Sequence, residues 1–428
     1  MVNEIKELCN KLNEKNKKVI LYGFGTVGRF LSLHLDSLIG IVDQGINDED
    51  VNKLSLEELS TIDFDLIVIT ILDEYNQKVI VEKLNQNKVS FEKIFILNES
   101  IDIDRNKLLF AEHDRLKGQL DNNELVFNKD GLSIQIQTIS HCNAKCYFCP
   151  YHGSWHQQNP GRMDDDVFKK IIYSLKSYKI TKFCPYLENE PFLDQSLFQK
   201  VFFAIDELDI EHIEIATNLS VLTEKNLEDL KRLSKYNHEI RISFHGVDKE
   251  TYEKVMDLNY EKALKNVKTL VTLMQEIPLN LSIRGSGKPR SSKNSLTSWF
   301  GQKEYLEFWD NELKEFDKKP YVDFFTYHDR AGQKQLKSKG ATFDIYREDL
   351  DNFYCQRFDQ WVHFLYTGEP VLCCMDYNRE TVLGDSIKNK SFNELFSSPK
   401  FTRMLKCASG LKESPDDFIC KRCISPGG

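Results

Sequence analysis

The chain has 428 residues, 41% of them hydrophobic and 29% charged, and it carries a formal net charge of −9 at pH 7. Its length favours two or three domains with separate cores, and its hydrophobic content excludes a disordered chain. The acidic balance argues against a nucleic-acid partner, and no apolar stretch of about 18 residues predicts a membrane span.

The N-terminus and the cysteine content indicate a compartment. Residues 1–7 lack the apolar core of a signal peptide, so we expect a cytoplasmic protein. Thiols stay reduced in the cytoplasm, and the eleven cysteines therefore favour metal ligation over disulfides.

The first hundred residues predict half of a nucleotide-binding α/β fold, with four parallel strands. These strands are Val19–Tyr22, Leu38–Val42, Leu66–Thr70 and Ile94–Leu97. Gly23, Gly25 and Gly28 fit G-x-G-x-x-G, and Asp43 follows the second strand, where an acidic residue would meet a ribose. Residues 1–105 are therefore predicted to form a Rossmann-like unit with a nucleotide as candidate ligand. The alternative is a tight turn kept for packing or for docking a partner.

Residues 106–131 are charged and weakly periodic, which predicts a linker with a helix. From residue 132 to 345 apolar strands alternate with helical patterns, which predicts six βα units and a parallel sheet. The predicted strands are Leu132–Thr138, Lys182–Leu187, His212–Thr217, Glu239–Phe244, Asn280–Arg284 and Tyr321–Tyr327. Active residues of such folds gather at the C-terminal strand ends.

Cys142, Cys146 and Cys149 follow the first of these strands with C-x3-C-x2-C spacing. Three thiolates can hold three irons of a [4Fe–4S] cube and leave the fourth iron open to a chelating molecule. The alternative is structural zinc, although zinc sites usually pair C-x2-C units and fill four positions. The spacing resembles that of the radical S-adenosylmethionine (SAM) family. That resemblance implies a partial (β/α)6 barrel and an open iron that binds the amino acid end of SAM.

The segment Glu188-Asn189-Glu190-Pro191 resembles the G-G-E-P motif of the same family, with Asn189 in place of a glycine. The resemblance implies that Glu190 and Pro191 belong to a backbone edge that binds the SAM amino group. Asn tolerates the left-handed conformation, so the substitution is compatible with that role. The alternative is an ordinary turn.

Further single residues are candidates for SAM binding on the same resemblance. Phe148 lies where family members place an aromatic ring against adenine, and Ser243 lies where they contact the ribose. Arg284 is a candidate partner for the SAM carboxylate, because a guanidinium binds a carboxylate bidentately. Core packing, caps and turns use the same residue types. The loop 151–156 is expected over the barrel mouth.

Residues 346–428 show few long helical patterns, which predicts an irregular extension. They resemble the SPASM extension of radical SAM enzymes, through G-x4-C at Gly368 and C-x2-C at the end of the chain. Asp376 and Gly384 fit the same pattern. The full extension carries seven cysteines and two clusters, whereas four ligands remain here, enough for one fully ligated [4Fe–4S] cluster. The predicted ligands are Cys355, Cys373, Cys420 and Cys423, with Cys374 as competitor of Cys373.

The combined motifs predict an enzyme that reductively cleaves SAM to a 5′-deoxyadenosyl radical, which abstracts a hydrogen atom from its substrate. We expect a flavodoxin- or ferredoxin-like electron donor, and oxidation or dehydrogenation of a carbohydrate or nucleotide-linked small molecule. The alternatives are a peptide- or protein-modifying maturase and, more remotely, a non-enzymatic iron–sulfur or zinc module. No catalytic residue is assigned firmly, and the candidates are Asp323, Tyr327 and His328.

Overall fold

Short strands alternate with helices through most of the chain in a computed structural model. It describes residues 8–43, 52–71, 74–97, 110–287, 300–326, 330–333 and 347–423, apart from positions 11, 14, 33, 123, 348 and 352. The described residues fall into two compact units. The first holds residues up to Arg115 together with Asp351–Cys355, and the second holds Leu116–Leu350 and Gln356–Ile424.

The first unit contains a four-stranded parallel sheet in the order β2-β1-β3-β4. Its elements are β1 (Val19–Tyr22), α1 (Thr26–Ser32), β2 (Leu38–Val42), β3 (Leu66–Ile69), α2 (Glu74–Gln86) and β4 (Ile94–Ile96). In β1, Val19 and Leu21 pack into one apolar cluster and Ile20 packs into another. The sheet is therefore covered on both faces, as parallel sheets require. All four predicted strands are confirmed.

The three glycines of the first βα turn differ in whether packing requires a residue without a side chain. Gly23 has a φ of +101°, and a Cβ there would lie 2.8 Å from Thr70 Oγ1. A Cβ on Gly28 would lie 2.3 Å from the Gly23 carbonyl oxygen, whereas one on Gly25 would meet no atom within 4 Å. Packing therefore requires Gly23 and Gly28, and only Gly25 faces open space.

Asp43 is engaged with the same turn, because its Oδ2 accepts a hydrogen bond from the Phe24 N–H at 2.6 Å. This carboxylate, which follows β2, fixes the backbone of the loop that follows β1. A nucleotide bound by this loop and Asp43 stays a prediction. Titration of the full chain with NAD and nucleotide sugars would test it.

Gly28→Ala is expected to destabilise the first unit by about 3 kcal/mol, because the new methyl group overlaps the Gly23 carbonyl. Gly25→Ala is the matched control and should change stability by less than about 0.5 kcal/mol. Hydrogen exchange of the β1 amides in the full chain measures both changes. Equal protection in the two variants would contradict the packing role of Gly28.

The second unit contains an eight-stranded sheet in the order β10-β9-β8-β7-β6-β5-β11-β12. Every neighbouring pair is parallel except β11 with β12. Helix α3 (Phe110–Asp121), in the predicted linker, precedes β5 in the chain. The elements from there to residue 326 are β5 (Leu132–Ile136), α4 (Trp155–Gln158), α5 (Asp165–Ser174), β6 (Ile180–Cys184), α6 (Leu197–Glu207), β7 (Ile213–Thr217), α7 (Glu224–Leu233), β8 (His238–Ser243), α8 (Lys249–Met256), α9 (Tyr260–Glu276), β9 (Leu281–Gly287), α10 (Gln302–Glu312) and β10 (Tyr321–Thr326). The six predicted strands β5–β10 are confirmed, in the expected sequential order.

The two faces of this sheet differ in polarity, and β8 shows why. Ile240 and Ile242 are fully buried, whereas Glu239 and Arg241 are partly exposed. In the parallel register Glu214 of β7 lies opposite Glu239, so the charged residues share one face. Fully covered parallel strands are usually apolar on both faces. The charged face is therefore a candidate site surface.

The C-terminal extension is more regular than the irregular region that its sequence predicted. It forms β11 (Trp361–Phe364), β12 (Pro370–Val371), α11 (Phe392–Phe396) and α12 (Pro399–Ala408). β11 joins the parallel sheet beside β5, with His363 opposite Gln135. Tertiary pairing, which no local pattern reveals, stabilises this four-residue strand. Among the described helices, none is both long and apolar enough to cross a membrane.

Candidate active site

The loop after β5 carries the first three predicted ligands. The Tyr151 hydroxyl accepts a hydrogen bond from the Cys142 N–H at 3.1 Å and donates to the Ser140 carbonyl at 2.7 Å. The amides of Lys145 and Tyr147 each donate to carbonyls at the end of α8 at 2.9 Å. Contacts within the protein therefore fix the loop backbone around the thiols.

The three thiols are spaced too widely to share a single zinc ion. Among the described residues, the sulfurs of Cys142, Cys146 and Cys149 do not all lie within 4.8 Å of one another. One tetrahedral zinc, with Zn–S bonds of about 2.3 Å, would bring its sulfurs to about 3.8 Å apart. A four-iron cube binds one thiolate per iron and holds the sulfurs farther apart.

The thiols also need a cation if they are to ionise. Burial, and then the nearby Glu190, raise the pKa of Cys142 to about 12. Burial, followed by the Cys149 and Cys142 thiols, raises the pKa of Cys146 well above its usual range. A metal centre supplies the positive charge that deprotonates such thiols. The residues present therefore fit a [4Fe–4S] cluster.

Glu190 ties the loop to the ends of the neighbouring strands. Its N–H donates to the His141 carbonyl at 2.9 Å. Its buried carboxylate accepts from Thr217 Oγ1 at 2.5 Å, from the Asn218 N–H at 2.6 Å and from the Phe192 N–H at 3.0 Å. Burial raises the pKa of Glu190 to about 7, against these hydrogen bonds. Glu190 thus holds the ends of β5, β6 and β7 together.

The backbone around this glutamate differs from the sequence expectation. Asn189 does not adopt the left-handed conformation. Its Oδ1 instead accepts a hydrogen bond at 3.0 Å from the N–H of Leu187, two residues earlier in the chain. Pro191 begins a short 3₁₀ turn, Pro191–Leu193. The Asn189 side chain thus fixes the turn before Glu190 through the Leu187 N–H.

The predicted adenine and ribose residues lie near one another. Phe148 is buried and packs edge-on against His245, with ring centroids 4.9 Å apart. Burial, and then Arg330, lower the pKa of His245 to about 3, so its imidazole is neutral. Ser243 ends β8, two residues before His245, and is partly exposed. SAM contacts by Phe148 and Ser243 stay predictions.

Arg284 and Asp323 are partners of each other on the charged face. Arg284 Nη1 lies 3.4 Å from Asp323 Oδ2, and its Nη2 lies 3.3 Å from Glu239 Oε1. Two carboxylates thus hold the guanidinium that was the candidate for the SAM carboxylate. Tyr327 and His328 lie outside the described residues.

Sequence reasoning missed a second ion network on this face, centred on Glu214. Its carboxylate lies 2.6 Å from Arg241 and 3.1 Å from Lys182, and it accepts a short hydrogen bond from Tyr186. Although burial opposes ionisation, Arg241 and Lys182 hold the pKa of Glu214 at about 2. The alternation of charged and apolar residues in the predicted strands was the available signal.

A buried histidine–glutamate pair was also missed. His156 Nε2 lies 2.6 Å from Glu188 Oε2, and both side chains are fully buried. Gln137 Nε2 approaches His156 Nδ1 at 3.5 Å. His156 Nε2 and both Glu188 carboxylate oxygens have no partner with hydrogen-bond geometry among the described residues, so the pair is a close contact between buried polar groups. The end of the loop 151–156 is therefore packed inside the unit, and its place over the barrel mouth stays a prediction.

His156→Ala is expected to lower the free energy of unfolding by about 3 kcal/mol, because it leaves Glu188 buried without a partner. Burial, and then Arg379, lower the pKa of His156 to about 4, so the loss at pH 7 concerns a neutral imidazole. His152→Ala, on an exposed histidine of the same loop, is the control and should cost less than about 0.5 kcal/mol. Urea denaturation of the metal-free protein measures both. Equal stabilities of the two variants would contradict the pair's contribution.

The C-terminal cysteines lie on short turns. Arg347 Nη1 donates to the carbonyl oxygens of Cys420, at 3.5 Å, and Cys423, which closes the C-x2-C turn. Cys373 Sγ accepts from the Met375 N–H at 3.3 Å. Cys374 packs against an apolar cluster that includes Leu187, Leu365 and Val371. A hydrogen bond from Cys373, opposed by burial, lowers the pKa of Cys374, so the choice of Cys373 over Cys374 as the ligand stays a prediction. Cys355 belongs to the first unit, so the set of four ligands stays a prediction.

Close packing explains why the G-x4-C motif begins with glycine. Gly368 has a φ of +80°, and a Cβ there would lie 2.7 Å from Ser386 Oγ and 2.8 Å from a Val167 methyl carbon. Glycine lets the β11–β12 turn approach α5 closely.

Comparisons with known proteins agree with these motifs. The chain matches the Radical SAM superfamily over residues 136–280 and the SPASM iron–sulfur cluster-binding domain over residues 355–424. No curated protein sequence matches it.

Three solved structures illustrate its similarities. BtrN in complex with AdoMet and 2-DOIA is 16% identical, with a TM-score of 0.45, over 70% of this chain and 95% of that one. Streptococcus suis SuiB bound to the precursor peptide SuiA is 13% identical, with a TM-score of 0.48, over 77% and 78%. The AdoMet-bound anSMEcpe is 16% identical, with a TM-score of 0.46, over 64% and 83%.

The radical SAM domain implies SAM and a [4Fe–4S] cluster, and the SPASM domain implies auxiliary iron–sulfur chemistry. Both match the cysteine loops described above. The chain is therefore a radical SAM enzyme that carries a SPASM iron–sulfur cluster-binding domain.

Proposed function

We propose that this radical SAM enzyme oxidises a hydroxyl-bearing carbohydrate or nucleotide-linked small molecule. When bound, the reduced cluster supplies the electron that splits SAM into methionine and a 5′-deoxyadenosyl radical. Cys142, Cys146 and Cys149 would hold that cluster, and a flavodoxin- or ferredoxin-like protein would be the electron donor. The radical would then take a hydrogen atom from a carbon of the substrate.

The charged face of the sheet is the observation that supports the proposed substrate class. Strands β6 to β10 present two ion networks there, one around Glu214 and one around Arg284. Desolvating these groups against apolar side chains would be costly, whereas hydroxyl or phosphate groups can replace their water. A polar, hydroxylated small molecule fits this face better than an apolar peptide side chain.

To become the oxidised product, the substrate radical must lose one electron and one proton. Hydrogen abstraction from a carbon that bears a hydroxyl leaves a carbon radical. Loss of one electron and of the hydroxyl proton from that radical gives a carbonyl, a net loss of two hydrogens. Asp323 at the end of the sheet is a candidate proton acceptor, and the extension would hold the electron acceptor. Full ligation suits a cluster to electron transfer rather than to substrate binding.

Substrates deuterated at the oxidised carbon test the proposal. The anaerobically reconstituted enzyme is incubated with SAM, reductant and either labelled nucleotide sugars and aminoglycosides or labelled peptides. Mass spectrometry should find deuterium in 5′-deoxyadenosine only with the hydroxylated small molecules, together with a product that has lost one deuterium and one hydrogen. Deuterium transfer from peptides alone would overturn the proposed substrate class and support the maturase alternative.

A further inference from the structure

Tyr377, in the C-terminal extension, contacts Cys149 in the loop after β5, although the two residues are 228 positions apart in the chain. Its side chain is buried, and its hydroxyl oxygen lies 3.8 Å from the Cys149 sulfur. With Cys149 as a thiol, the S–H can donate to the hydroxyl. A thiolate has no proton, so once the sulfur binds a metal only Tyr377 can donate.

We propose that Tyr377 donates a hydrogen bond to the Cys149 sulfur and thereby raises the reduction potential of the SAM-binding cluster. The inference rests on the proposed function, in which that cluster is bound by Cys149 and its two neighbours in the loop. A hydrogen bond to a ligating sulfur stabilises the reduced cluster, which carries more negative charge, more than the oxidised one. Tyr377 is a positioning residue, since it acts through the sulfur.

The turn that carries Tyr377 is closed by the preceding residue. Asp376 is fully buried, and its Oδ2 accepts hydrogen bonds from the Thr381 N–H at 2.6 Å and from Thr381 Oγ1 at 2.7 Å. Its Oδ1 accepts from the Glu380 N–H at 2.8 Å. These bonds fix the backbone from which Tyr377 projects. The acidic residue after the cysteine pair, Asp376, therefore stabilises the turn.

Residues after β10 hold both flanks of Tyr377. The Asn378 N–H donates to Gln333 Oε1 at 3.2 Å, and Arg330 Nη1 lies 3.5 Å from the Met375 sulfur. Arg330, Ala331 and Gly332 have φ angles of +53°, +57° and +71°. Consecutive left-handed residues are strained and persist only where packing holds them. Contacts between residues 330–333 and residues 375–378 therefore fix the position of the Tyr377 hydroxyl.

Tyr377→Phe removes the donor and keeps the ring. The full enzyme is titrated anaerobically against a redox dye series, and the cluster signal that changes on SAM addition is followed by electron paramagnetic resonance. We expect about a tenfold lower ratio of reduced to oxidised cluster at a fixed donor potential, which corresponds to about 59 mV for one electron. Tyr366→Phe is the matched control, because the Tyr366 hydroxyl donates to the Asn159 carbonyl at 3.0 Å. It should leave the potential unchanged.

The outcomes separate this inference from the proposed function. An unchanged potential in Tyr377→Phe, with normal iron and a normal SAM-induced spectral change, would overturn the role of Tyr377 and leave the substrate proposal intact. Loss of iron from Tyr377→Phe would also overturn it, because a bond that only tunes a potential is not needed for assembly. Partial recovery of the potential in Tyr377→His, which restores an N–H donor, would support it.

Discussion

Replacement of Cys142, Cys146 and Cys149 together with Ala is expected to abolish SAM cleavage and to lower the iron content from about eight to about four atoms per chain. The loop backbone is held by Tyr151 and by the end of α8, which the substitutions leave in place. The protein should therefore remain folded while it loses the site that binds SAM. Iron analysis and chromatography of 5′-deoxyadenosine measure the two losses.

A cysteine outside the two motifs serves as control for this variant. Cys407 is buried in α12, and its thiol donates to the Glu413 carbonyl at 3.3 Å. Cys407→Ala should keep the full iron content and normal SAM cleavage. SAM cleavage that persists in the triple variant would contradict the assignment of the loop.

Changing Cys420 and Cys423 to Ala should stop product formation while SAM binding and uncoupled SAM cleavage continue. The substrate radical loses its acceptor, because two of the four predicted ligands of the auxiliary cluster are removed. Arg347 contacts the carbonyl oxygens of both residues, so the local turn does not depend on their side chains. Product and 5′-deoxyadenosine are quantified in the same reaction.

The ratio of the two compounds decides this prediction. In the wild-type enzyme 5′-deoxyadenosine and oxidised product should form together, whereas the variant should form only the former. A folded variant that has lost about four irons and still makes product at the normal rate would show that the auxiliary cluster is not the electron acceptor.

The sequence predicted strands β1–β10 because each has a local signal. Apolar and polar residues alternate in β8 and continuous apolar runs form β1, so periodicity alone placed them. β11 was missed because its four residues gain stability only by pairing with β5, far away in the chain. The extension therefore looked irregular although part of it belongs to the main sheet.

The candidate site shows the same division between local and distant contacts. The cysteine spacing and the segment around Glu190 are local patterns, and sequence reasoning identified both. The pairing of Glu188 with His156 and the approach of Tyr377 to Cys149 join residues distant in sequence. Arg284 was correctly placed on the sheet, but no local pattern could reveal that two carboxylates hold its guanidinium.

Metal and sulfide analysis of the anaerobically reconstituted wild-type chain tests the central claim most directly. Two four-iron clusters predict about eight iron and about eight acid-labile sulfide atoms per chain. A SAM-dependent change in the spectrum of the reduced protein should assign one of the two cubes to Cys142, Cys146 and Cys149. Stoichiometric zinc without iron or sulfide would contradict the claim.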